Sequence, residues 1–413
     1  MRSYLIVLAV SVVVTAAVMP LMMRLSAKFG AIAHPSDRKV HAQPTPSLGG
    51  GAMYLGLLAG FACAALLGEF ESVFESPSNI VGVAIAATVI FATGLVDDIR
   101  DVSPPAKVAG MVLAGSILAL SGVSIINVPM PLLGFTVLSP DLATLVSVCW
   151  VLLMANAVNL IDGLDGLAAG VMAIASGAFL LYSVKLDAEG ALFAGNVGPL
   201  VAVVTVGVCL GFLFWNFHPA KIFMGDSGAL LLGLLMASST IAVGGQSDDS
   251  FTGQSWFFFA PLVMPLLILG VPLIDLAFAV LRRTRSGAGF ATADKDHLHH
   301  RLMRLGHGHR QTVIIMWSWT GLFSAFALYP AMSGRSTLIM PIALAALLLL
   351  VFTLVFPWAS QRRRRPNGDD AADGDDAADG DDAADAADGD DAADGDDGGV
   401  SAAEPSRSPH PGA

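Results

Sequence analysis

Long apolar stretches alternate with short polar ones along most of the chain. A spanning helix needs about 20 mostly apolar residues. On that measure, spans are predicted near 3–23, 49–68, 79–96, 107–125, 141–158, 166–184, 193–214, 227–244, 256–281, 311–330 and 337–357, eleven in all. Between the fourth and fifth, VPMPLLGFTVLSP (128–140) carries Pro and Gly at turn-like spacing, which predicts a short hairpin or interfacial segment. The opening MRSYLIVLAVSVVVTAAVMPLMMRL is too long and Met-rich for a cleaved signal, and no small-residue cleavage site stands out; it reads as the first span. The expected fold is an all-α polytopic membrane protein.

Composition agrees: 54% of the 413 residues are hydrophobic and only 14% are charged. The net charge of −12 misleads, because beyond Arg365 the chain holds 16 acids and one base, leaving 21 bases and 18 acids in the body. The expected division is a membrane domain over 1–357, a basic juxtamembrane segment over 358–365, and an acidic low-complexity tail over 366–413. That tail has almost nothing to bury and is expected to be disordered. Nucleic acid is not an expected partner. Cys63, Cys149 and Cys209 each lie inside an apolar run, so buried small hydrophobes are expected and a disulfide framework is not.

The bases set the orientation. With the N-terminus outside, 18 of the 22 Lys and Arg residues fall in inside loops and Arg407 in the tail joins them; only Arg2, Lys185 and Arg335 lie outside. The outer face carries Glu69, Glu71, Glu75, Asp187, Glu189, Asp248 and Asp249. Cytoplasmic loops concentrate Lys and Arg, and an odd span count then places the C-terminus in the cytoplasm.

On this topology five polar islands share the cytoplasmic face: HAQPTPSLGG (41–50), GLVDDIRDVSPPAK (94–107), NAVNLIDGLDGLAAG (156–170), FHPAKIFMGDSGALLLG (217–233) and DKDHLHHRLMRLGHGH (294–309). Carboxylates and amides beside hydrocarbon are expensive and usually functional. Asp97 and Asp98 repel each other and call for a nearby cation; a hard divalent ion fits, whereas a helix-end cap is the plainer reading. In Asn156-x-x-Asn159-x-x-Asp162-x-x-Asp165, steps of three place the first three on one helix face, and Gly163 and Gly166 interrupt that helix. Their oxygens suit a Mg²⁺ shell or ribose and base hydroxyls; the plainer reading is a polar stripe between packed helices. Asp226 stands among small residues where a metal can approach, ahead of a helix N-terminus that welcomes phosphate. Phe223 either stacks on a flat base or simply packs.

Arg38 and Lys39 precede a proline- and glycine-rich run that has the look of an anion-binding loop. His297, His299 and His300, flanked by Lys295, Arg301 and Arg304, lack the cysteine or acid that completes a zinc set, so phosphate or sugar recognition fits better. Asp275, inside the ninth span, should face the bundle interior.

These islands, in this order, resemble the polyprenyl-phosphate N-acetylhexosamine-1-phosphate transferases (glycosyltransferase family 4) over roughly residues 1–357. RKVHAQPTPSLGG and DHLHHRL look like the bacterial branch that uses UDP-N-acetylglucosamine (UDP-GlcNAc). The phospho-MurNAc-pentapeptide branch usually has a Lys soon after the paired aspartates; here Asp101 stands there and Lys107 is the nearest base. The resemblance implies transfer of GlcNAc-1-phosphate from UDP-GlcNAc to an undecaprenyl or decaprenyl phosphate, with release of UMP. It places Mg²⁺ (or Mn²⁺) on Asn159 and Asp226, uridine by Asp162 and Phe223, and the lipid phosphate by Asp97 and Asp98. His297, His299, His300 and Arg301 would grip the sugar-phosphate end, His299 counting with the four aspartates as catalytic. Lys107 is the candidate phosphate contact, with Lys39, Asn156 and Asp165 as further substrate contacts, and a homodimer is plausible for the superfamily. The rival readings are the pentapeptide transferase and an ion-coupled transporter, although carboxylates at one face and no visible repeat speak against the latter.

Overall fold

The computed structural model describes residues 1–33, 44–75, 77–130, 134–245, 302–333 and 339–364, together with a few isolated positions between 266 and 281. Apart from those positions, the expected span 256–281 lies outside them, as do Asp275, Lys39, His297, His299, His300, Arg301 and the acidic tail.

The described helices are α1 (Arg2–Phe29), α2 (Gly49–Ala65), α3 (Glu71–Glu75), α4 (Pro77–Ile99), α5 (Pro104–Leu120), α6 (Pro140–Ile161), α7 (Leu167–Ala188), α8 (Gly198–Asn216), α9 (Gly225–Gly244), α10 (His309–Ser333) and α11 (Ile339–Arg364). Seven of these are long and apolar enough to cross a membrane, and an eighth crossing results if α2 and the bent Gly68–Glu75 segment, turned by 95°, act together. The chain is thus a multi-pass membrane protein. The expected span at 337–357 coincides with α11, 26 residues long, and that at 107–125 with α5, a shorter apolar helix of 17 residues, about 26 Å at 1.5 Å per residue.

Two small antiparallel ladders accompany the helices. Ile32–Ala33 (β1) pairs with Thr45–Pro46 (β2), and Asn127–Met130 (β3) pairs with Gly134–Val137 (β4), with Val128 opposite Thr136. The second ladder is the hairpin expected from the Pro and Gly spacing of 128–140.

Helix α9 is the axis of the fold. Its whole apolar window is buried, and α2, α4, α6 and α8 pack around it. A helix apolar on all sides belongs in an interior, and here that interior holds Asp226 at its leading end. Close approach depends on small residues, since apolar surface drives little association in lipid and backbone proximity must supply dispersion. A Cβ on Gly94 of α4 would fall on the backbone of Asp226 and Ser227, and one on Gly233 would fall on Ala155 of α6. On the opposite side, Ser11 and Thr15 of α1 pack against Gly56 and Gly60 of α2 and Gly207 and Gly211 of α8.

The three cysteines are free, but only Cys209 is buried; Cys149 is exposed on the outside of α6 and Cys63 is intermediate. Their apolar neighbourhoods reflect lipid-facing surface as much as core.

Candidate active site

The polar islands of the described residues converge where α4, α6, α8 and α9 end or begin. Helix α4 stops at Ile99 with Asp97 and Asp98 in its last turn, and α5 starts after Ser103 with Pro104 and Pro105 at its first positions. Proline suits a first turn because its missing N–H would be unpaired there. That tight return puts Lys107 beside Asp97, at 3.2 Å. The same ammonium also pairs with Asp226, so Lys107 bridges two carboxylates from α4 and α9.

Asp98 has a different partner. Its carboxylate accepts the backbone N–H of Asp226 at 2.7 Å, the N–H of Ser227 at 3.1 Å and the Ser227 hydroxyl at 2.5 Å. It therefore caps the first turn of α9 from another helix, where the unpaired amides and the positive end of the helix dipole favour an anion. Gly225 takes φ 67°, and a Cβ there would collide with the Asp98 carboxylate. Asp97 accepts the N–H of Val102 at 2.9 Å as well as the Lys107 contact. The adjacent acids thus divide the work: one holds a helix start, the other holds a lysine.

The Asn156–Asp165 island spans the end of α6 and the turn into α7. Helix α6 ends at Ile161, Asp162 is its C-cap residue, and Gly166 adopts φ 76° ahead of α7. The Asp162 carboxyl has no hydrogen-bond donor among the described residues. Burial, reinforced by the negative charges of Asp98 and Asp165, pushes its pKa up to about 7. Asn159 lies in the last turn of α6, and its carbonyl accepts the Asp162 N–H at 3.3 Å. Asn156, one turn earlier, donates back to the Leu152 carbonyl at 2.8 Å and faces Met111 of α5, one turn beyond Lys107.

Asp165 turns away toward the α8–α9 loop. It accepts the His218 ring N–H at 2.6 Å and the Ala220 N–H at 3.1 Å, while His309 Nε2 stands 3.9 Å away. Buried Asn216 completes the seam, accepting from Gly166 N–H and donating to the Ile222 carbonyl, both at 2.8 Å. The loop that carries Phe223 is fixed by its backbone: Phe223 N–H donates to Pro46, and its carbonyl accepts from Gly49. The Phe223 side chain is half-buried. The glycine run after Thr45 does not form the expected anion loop within the described residues, because the amides of Gly49 and Gly50 are spent on the carbonyls of Phe223 and Met224. Its glycines serve contact instead: a Cβ on Gly50 would fall on Gly228 and Ser227.

Sequence reasoning missed Asn216, Ser227, His218 and His309. Asn216 is adjacent to an island and resembles any helix-end residue; only its two bonds across the loops mark it.

The model of glycosyl transferase family 4 matches residues 80–244, which include Asp97, Asp98, Lys107, Asn159, Asp162 and Asp226. A decaprenyl-phosphate N-acetylglucosaminephosphotransferase of Mycolicibacterium smegmatis is 37% identical over 354 residues, 83% of this chain and 85% of the relative. This chain belongs to glycosyl transferase family 4. A probable undecaprenyl-phosphate N-acetylglucosaminyl 1-phosphate transferase of Bacillus subtilis is 33% identical over 320 residues, covering 77% and 82%. A phospho-N-acetylmuramoyl-pentapeptide-transferase of Mycobacterium marinum is 32% identical over 278 residues and reaches only 58% of this chain. Within glycosyl transferase family 4, the likeness to the two N-acetylglucosamine enzymes thus extends further along the chain than the likeness to the pentapeptide enzyme.

Proposed function

We propose that the protein transfers GlcNAc-1-phosphate from UDP-GlcNAc to a polyprenyl phosphate, releasing UMP, with its active site at the cytoplasmic face of the plasma membrane. The names of the two relatives with the greater coverage match the acceptor and the transferred group. The observation that carries the reading is the meeting of Asp97, Asp98, Lys107, Asp162 and Asp226 at the ends of four helices. Beside Asp97 the surface also suits a lipid: an open apolar groove of about 400 Å³ is lined by Val89, Ala92, Thr93, Val96 and Val102. The concentration of Lys and Arg in the loops that share this face supports the orientation, with N-terminus outside and C-terminus inside.

A divalent cation fits the donor set. Among the described residues the site offers oxygen ligands, and one lysine stands against Asp97, Asp98, Asp162 and Asp226, with no hydrogen-bond donor to the Asp162 carboxyl. Hard oxygen sets suit Mg²⁺. Asn159 and Asp226 would hold it, and it would supply charge neutralisation on the donor diphosphate.

In the reaction, an oxygen of the lipid phosphate attacks the phosphorus that bears the sugar. A new P–O–P linkage forms, and the bond to the uridylyl phosphate breaks with UMP as leaving group. A phosphate monoester has a second pKa near 6, so the acceptor is mostly dianionic at pH 7 and needs no base. Lys107 answers the anionic charge that gathers there. Asp97 holds that ammonium, and Asp98 holds the first turn of α9 so that Asp226 presents its side chain at a fixed place. All three bonds to Asp98 occupy its oxygens, which suits a positioning residue better than a nucleophile.

The test is purified protein with UDP-[14C]GlcNAc, polyprenyl phosphate and Mg²⁺, scored for lipid-linked sugar and UMP. Failure to form either product would remove the proposal and favour a transporter. Label exchange between UMP and UDP-GlcNAc without lipid acceptor would overturn direct attack.

A further inference from the structure

Behind the carboxylate site lies a group of different chemistry. Asp165 comes from the α6–α7 loop, His218 from the α8–α9 loop and His309 from the first residue of α10. One oxygen or nitrogen from each lies within 4.8 Å of the others. His218 Nδ1 is 2.6 Å and His309 Nε2 is 3.9 Å from the same Asp165 oxygen, and the two imidazoles stack with centroids 4.2 Å apart and planes 22° from parallel. The His309 Nε2 atom is buried and has no hydrogen-bond partner among the described residues. Arg310 steadies the loop by donating to the His218 carbonyl at 3.0 Å. A buried ring nitrogen aimed at a carboxylate, without a proper bond to it, is an unexplained polar atom.

We propose that Asp165, His218 and His309 form a second metal site, separate from the one on Asn159 and Asp226, and that it takes a borderline transition ion such as Zn²⁺. Two imidazoles and one carboxylate with a fourth position open is a ligand set that zinc accepts, whereas Mg²⁺ prefers oxygen throughout. Bonds of about 2.0–2.1 Å separate tetrahedral ligand atoms by roughly 3.4 Å, so the present spacing needs changes on the order of 1 Å. Such an ion would clamp three segments that are distant in sequence. The inference stands on this geometry alone and does not depend on the transferase reading.

The experiment uses the full chain in detergent, stripped with a chelator and equilibrated with Zn²⁺ in excess Mg²⁺. Metal content by atomic absorption and the zinc-induced rise in melting temperature are both read, neither of which requires activity. The wild type should hold one zinc more per chain than His218→Ala or His309→Ala, and zinc should raise the melting temperature of the wild type but of neither of these two variants. A combined His297→Ala, His299→Ala, His300→Ala variant should keep that zinc. If an alanine variant fails to fold, His309→Gln, which preserves size and hydrogen bonding, gives the same reading. Equal zinc in wild type and both single variants, or loss confined to the triple variant, overturns the site.

Discussion

The carboxylate of Asp98 accepts the backbone N–H of Asp226 at 2.7 Å across 128 residues of chain. One residue of α4 thereby holds the start of α9, the helix around which the bundle is built and on which the proposed metal ligand stands. Two acids that composition treats alike are here a support and the thing supported.

Replacing Asp98 should therefore harm folding as well as chemistry. Asp98→Ala leaves the amides of Asp226 and Ser227 without their acceptor, a loss on the order of 1–3 kcal/mol for a buried cap. The detergent-solubilised variant should melt several degrees lower and lose most activity, while Asp98→Asn, which keeps one acceptor oxygen, should recover part of the stability.

Asp226→Ala should behave in the opposite way. Its backbone N–H still reaches Asp98, so the melting temperature should stay near that of the wild type. Transfer of label from UDP-[14C]GlcNAc should nonetheless vanish. A variant that unfolds, or one that still turns over, would contradict the roles assigned to the pair.

Lys107 joins Asp97 to Asp226, and Lys107→Met removes the cation between them. Loss of one such charge contact costs roughly 10²–10³ in rate where charge develops in a transition state. The kcat should fall by about that factor, and raising Mg²⁺ should restore only part of it, as read in steady-state assays over a magnesium series.

Asp162 predicts a pH effect with a definite sign. Its folded pKa is about 7, and the ordinary unfolded value is about 3.9. Between those values the folded protein binds one more proton than the unfolded chain, so the stability of the metal-free protein falls as pH rises from about 4 to 7. Thermal unfolding in a chelator from pH 5 to pH 8 should reveal that decline, and Asp162→Asn should flatten it.

Gly94→Ala adds a methyl group where α4 meets the backbone of Asp226 and Ser227. Overpacking of this kind costs about 1–3 kcal/mol. The melting temperature should drop and transfer should weaken, although no polar group of the site has been altered.

Much of this protein is legible in its residue order. Apolar run lengths located the helices, because hydrocarbon demands a nearly fixed number of apolar residues per crossing, and the Pro and Gly of 128–140 marked a hairpin. The break after Ile161 was visible too, since Gly166 takes the left-handed conformation that most residues resist. The glycine run at 49–51 misled: its amides serve neighbouring carbonyls, and nothing local distinguishes a glycine kept for close packing from one kept for a ligand.

What the sequence alone determined was which residue types were placed beside the hydrocarbon and along which stretches, because burial leaves a periodic record in composition. Only the tertiary structure decided the partners: Asp98 with the start of α9, Lys107 between Asp97 and Asp226, Asn216 across two loops. A hydrogen bond between residues far apart in the chain depends on how helices pack, and that packing is set jointly by many small side chains, none of which names its partner.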